Sequence, residues 1–257
     1  MATHGQLDNQ DVFEFLLGIG DNCLILGHRL SEWCGHAPAP EEDIALANTA
    51  LDLIGHARLW LELAGRTEQK GRSADALAYL RDAPEFRNVA LIERPNGDYG
   101  KTLMRQFLFD SWHLPFLTAL KESKNAEIAG IAGKALKEVA YHLERSRDLV
   151  VRLGDGTDES NARMQAALDD LWPYTGELFA ASDGDLRLTA AGIAPDVASV
   201  KKNWCQSVGR TLVEAKLVAP AGAYMHQGAK RGIHTEHMGF ILAEMQVLQR
   251  SHPGARW

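Results

Sequence analysis

Apolar residues recur at steps of three and four through almost the whole chain, and the strict alternation of a half-buried strand is missing throughout. That regularity leaves helix packed on helix as the architecture. Residues 9–33 (NQDVFEFLLGIGDNCLILGHRLSEW) form one amphipathic stretch, closed by CGHAPAP with its glycine and two prolines. Residues 41–65 form a second, opening on acids that favour a helix N-terminus and stopping at Gly65. The third covers 98–123, with a bend expected at Pro115, and the fourth covers 126–154, ending at Gly154. Each is about 25 residues, or roughly 37 Å of helix. Shorter helices are expected at DALAYL, over 159–180 with a break near Pro173, over 195–217, and from Thr235 to Arg250. The reading is all-α: a long four-helix bundle with additional C-terminal helices, in a single domain spanning 1–257. Residues 1–10 are expected to be a flexible N-terminal extension.

The inward stripes of these helices carry ionisable groups. Asp21 shares a stripe with Leu17, Leu24 and His28, and Asp110 interrupts one made of Leu103, Phe107, Leu114 and Leu117. On the second helix Asn48, Asp52 and His56 step by four along a face read as including Leu51, Leu59 and Leu63. On the fourth, the apolar centre is Ile128, Ala132, Val139, Leu143 and Val150, with His142 on its inner shoulder and Glu138 further out. A buried carboxylate is costly unless it is paired, hydrogen-bonded or bound to metal. Dimetal carboxylate bundles place Glu-x-x-His, three apart, on each of two helices and a single Glu on each of the other two. Asp52/His56 and Glu138/His142 step by four instead, which turns the imidazole to the other side of the carboxylate, and Asp is one methylene shorter than Glu. The expectation is therefore a vestigial polar core at Asp21, Asp52, His56, Asp110, Glu138 and His142. Its acids and imidazoles would hydrogen-bond to one another, with no metal, cofactor or catalytic residue in this chain. The alternative is a di-iron oxygenase with those six residues as oxygen and nitrogen donors.

Other segments are weaker candidates. His234 and His237 are three apart but lack the His-Glu-x-x-His spacing of metalloproteases, so Thr235 is read as capping the last helix. Lys230 and Arg231 could meet an anion near that helix start. The glycines of GIGDNCLILG are read as permitting close helix contacts, and Trp60 and Tyr141 as exposed aromatics suited to a partner. A formal net charge of −7 argues against nucleic acid as partner. Cys23, Cys34 and Cys205 form no C-x-x-C pair and read as reduced thiols. With no apolar run long enough to span a bilayer and no signal-peptide pattern at the start, a cytoplasmic location is expected.

Six blocks then carry a resemblance: GDNCLILGHRLSEWCGHAP, DIALANTALDLIGHAR, ERPNGDYGKTLMRQFLFDSWH, KALKEVAYHLERSRD, RLGDGTD and GIHTEHMGFILAEMQVLQR. In this order, from about Gly20 to Trp257, they resemble the C-subunit family of the bacterial phenylacetyl-CoA epoxidase. The resemblance implies a ferritin-like bundle that acts in aerobic phenylacetate breakdown as a structural subunit of a monooxygenase complex. It implies that di-iron lies in the catalytic A subunit, with which this subunit forms a heterodimer that further dimerises, alongside other complex subunits. A homodimeric adaptor when alone is the bland alternative. No metal ligand carries over, because the two carboxylate–histidine steps depart from the ligand pattern.

Overall fold

The computed structural model describes residues 8–255, in which every regular element is a helix or a helical turn and no strand occurs. Four long helices make the frame: α1 (Asn9–Ser31), α2 (Pro40–Glu68), α4 (Tyr99–Leu120) and α5 (Ala126–Gly154). Between α2 and α4 lie the short α3 (Ala74–Tyr79) and two 3₁₀ turns, Ala83–Glu85 and Ala90–Glu93. After α5 come α6 (Asp158–Leu171), α7 (Asp183–Ala191), α8 (Val197–Glu214) and α9 (Glu236–Ser251).

Local chemistry starts these helices where the sequence implies. Asp8, Asp98, Asn125 and Asp196 each accept a hydrogen bond from a backbone N–H of the first turn they cap, and α2 opens on Pro40 followed by three acids. α1 already begins at Asn9, so residues 9 and 10 of the expected flexible extension are helical; the rest of that extension lies outside the described residues, save for Asp8, which caps the helix. α4 runs unbroken through Pro115. After α6 the chain passes through 3₁₀ turns at Trp172–Tyr174 and Gly176–Phe179, which accounts for the break expected near Pro173.

The most extensive packing is α1 on α2 and α4 on α5. Gly20 and Gly27 make the first pair possible: a Cβ on Gly20 would come within 2.8 Å of Leu61, and one on Gly27 within 3.2 Å of the Ala50 carbonyl. Leu16, Ile25, Leu26, Leu53, Trp60, Phe107, Phe109, Leu117 and Val139 fill the interior.

Two expectations about α2 fail. Leu51 and Asn48 are exposed, Leu51 at 67%, and Trp60 is fully buried. The true inward arc runs through Leu46, Ala50, Leu53, Ala57, Trp60 and Ala64. Its small residues carry little hydropathic signal, so the larger Leu51 drew the sequence reading about a third of a turn off. Tyr141 on α5 is exposed as expected.

Candidate functional site

The six acids and imidazoles divide among four separate hydrogen-bonded groups, two of them on one helix seam. Asp21 on α1 is fully buried and held by Arg81, which follows α3: Nη1 donates to Oδ2 at 3.0 Å and Nη2 donates to Oδ1. The Arg87 backbone N–H donates to the same carboxylate at 2.8 Å. Asp110 on α4 is also fully buried; it accepts from Gln106 Nε2 at 2.7 Å and from Ser146 Oγ on α5 at 3.0 Å. Burial outweighs both donors and pushes its carboxyl up to about 8.

The other four residues lie along the seam between α2 and α5. His56 Nε2 meets Glu138 Oε2 at 2.5 Å, and His142 Nε2 meets Asp52 Oδ2 at 2.9 Å. Each carboxylate–histidine pair thus forms across the two helices. Numbers rise on α2 as they fall on α5, so the helices run antiparallel here. Arg66–Glu127 at 2.8 Å and Arg145–Glu42 continue the same ladder toward its two ends. The imidazoles point inward, with side chains 4% and 1% exposed, whereas Glu138 and Asp52 remain 49% and 35% exposed at the rim. The carboxylates therefore face solvent where a metal centre would need them inside.

Behind the imidazoles stands His113 of α4, fully buried, its ring 6.4 Å from that of His56 and packed on Phe109 and Trp112. Burial, reinforced by the neighbouring His56 and His142, holds His113 well below the usual imidazole range, and burial also lowers His142 despite its bond to Asp52. Nδ1 of His56, His113 and His142 is buried without a partner. For His142, which burial lowers, the bond to Asp52 favours the proton on Nε2 and leaves Nδ1 as a bare acceptor, the cheaper group to strand. Among the described residues, no group of three or more His, Cys, Asp or Glu side chains is arranged to hold a metal ion.

A second buried polar cluster escaped the sequence reading. Glu93, fully buried, accepts from Asn88 Nδ2 at 2.8 Å, Thr235 N at 2.9 Å and Thr235 Oγ at 2.7 Å, and meets His234 Nδ1 at 2.5 Å. Thr235 does precede α9, but its hydroxyl serves Glu93 and makes no cap bond. Glu177, likewise buried, accepts from the backbone N–H groups of Ala90, Gly228 and Lys230. These two carboxylates bind the 228–235 segment to the Ala90–Glu93 turn. His237 lies 3.4 Å from Glu236, apart from His234 and its Glu93 bond. Arg81, Glu93 and Glu177 all sit in or beside irregular segments, where no period marks an inward face. Ser146 and His113 lay on readable helices and could have been found from their positions one turn from His142 and Asp110. Cys23, Cys34 and Cys205 are free thiols, with burial pushing Cys23 up to about 12.

Comparison with known proteins decides the family. The family model described as phenylacetic acid catabolic protein matches residues 1–257. The chain belongs to this family. Within the phenylacetic acid catabolic proteins, it is 46% identical over 243 residues to the C subunit of the 1,2-phenylacetyl-CoA epoxidase of Escherichia coli strain K12, covering 95% of this chain and 98% of that protein. The all-α ferritin-like bundle is the fold expected of a member of this family. No described helix is long and apolar enough to cross a membrane.

Proposed function

We propose that this chain is the non-catalytic structural subunit of a phenylacetyl-CoA epoxidase, bracing a di-iron catalytic subunit during phenylacetate catabolism. The carrying observation is that every acid at a ligand-type position is already engaged by a protein donor. Asp21 is held by Arg81, Asp110 by Gln106 and Ser146, Glu138 by His56 and Asp52 by His142. The likeness to the C subunit of an epoxidase supports the same reading. An iron centre in this chain would have to break at least two of these groups and draw half-exposed carboxylates inward.

The partner in this reading is the catalytic subunit, in a heterodimer that further dimerises. Exposed apolar side chains support a surface suited to it: Leu51 sits next to Asp52 on α2, Tyr141 next to His142 on α5, and Ile44 one heptad before Leu51. The test is co-expression with the catalytic subunit of the same complex, sizing of the product, and iron assay of each separated chain. Co-elution with iron in the partner alone is expected. About two irons per copy of this chain, with an oxo-bridged absorption band, would favour the rival reading of an independent di-iron oxygenase.

A further inference from the structure

A cavity of about 440 Å³ opens between the N-terminal half of α1, the C-terminal half of α4, α7, the start of α8 and the 227–231 loop. It lies away from the α2–α5 seam, and its volume is that of small-molecule sites, typically about 300–1,000 Å³. One wall is aromatic. Trp112 and Phe116 stack at 4.6 Å with 26° between their planes, and Phe15 stands 6.2 Å from Phe116.

The acids around the cavity are already engaged. Asp11 takes two hydrogen bonds from Arg187 at 2.7 Å, and Glu14 takes Arg87 Nε at 2.6 Å. Glu177 is saturated by three backbone N–H groups, and Asp185 accepts from Ser182 N at 2.9 Å with Lys230 Nζ at 3.7 Å. Lys230 also donates to the Ala180 carbonyl at 2.5 Å. The Arg231 guanidinium, on the same rim, has no side-chain partner among the described residues. The charge left available in the cavity is therefore positive and sits at the 230–231 edge, in a cavity whose lining also includes the Trp112–Phe116 stack.

We propose that this cavity binds a small organic anion with a flat apolar body, its ring against Trp112 and Phe116 and its carboxylate or sulfonate toward Arg231. Aromatic stacking favours a planar group over a branched alkyl one, and the fork of a guanidinium matches a carboxylate or sulfonate better than a neutral head group.

The test titrates 1-naphthalenesulfonate into the full-length chain by calorimetry, with 1-naphthalenemethanol as the uncharged analogue. Saturable one-to-one binding is expected, about tenfold weaker for the neutral analogue and about tenfold weaker after Arg231→Gln. Arg231 is exposed, so its replacement leaves the fold alone. Ala181→Trp at the exposed rim should narrow the mouth and weaken binding too. No saturable binding, a stoichiometry above one, or equal affinity for both compounds and both variants would overturn the site.

Discussion

Asp110 is a carboxyl whose environment favours its proton. With its value raised to about 8 from an ordinary 3.8, the folded chain holds a proton that the unfolded chain has released across that interval. Its stabilising share is complete below pH 4 and is lost as pH rises through 8, at no more than about 1.4 kcal/mol per pH unit. His113 and His142 are depressed, so theirs runs the other way: present above about pH 6.5 and lost on acidification. Urea midpoints between pH 6.5 and 8.5 should fall with pH in the native chain and stay nearly flat in Asp110→Asn. Asp21 and Arg81 pose a different problem, because a charge stripped of its partner stays buried. Asp21→Asn or Arg81→Met should each cost about 3–5 kcal/mol in denaturant unfolding, while the double change to apolar residues should cost clearly less than the sum. Additive losses would mean the two charges do not depend on each other.

Among the helices, glycines distinguish close contact from open surface. Gly65 near the end of α2 faces the Arg72 carbonyl oxygen, with which an added Cβ would collide. Gly55, ten residues earlier, meets nothing within 4 Å. The two substitutions should therefore move thermal midpoints in opposite directions. Gly55→Ala should stabilise by about 0.5–1 kcal/mol through helix propensity. Gly65→Ala should destabilise by about 1–3 kcal/mol through displacement of the α2–α3 connection. The α2–α5 ladder belongs to this scale as well: four polar contacts set an antiparallel register, with imidazoles inside and carboxylates at the rim.

For the whole molecule, the question is what covers the outer side of that seam. A bracing subunit should lose its partner when an exposed apolar residue gains a charge, without losing its own fold. Leu51→Glu, at a position 67% exposed, should leave the melting temperature of the isolated chain within about 2 °C yet reduce co-purification of the catalytic subunit severalfold. A variant that co-purifies as well as the native chain would move the contact to another face. The C-terminal third is tied to the segment between α2 and α4 by Thr235 on Glu93 and by the Ala90 N–H on Glu177, so its position depends on two buried carboxylates as well as on apolar packing.

The sequence by itself determined the helices. Helix starts near Asp98 and Ala126, the stop at Gly154, and the period of the apolar residues all act within about four positions, so they are legible without a partner in view, whereas the stop expected at Gly65 fails because α2 runs on to Glu68. The departure of Asp52/His56 and Glu138/His142 from ligand spacing was legible for the same reason. Which groups would grip each other was not. Arg81 reaches Asp21 across 60 residues, Glu138 and Asp52 find imidazoles on the opposite helix, and Trp60 turns inward because α1 approaches closely at Gly20. Those choices depend on which faces meet and at what height. That is a property of packing between distant segments, and no local period encodes it.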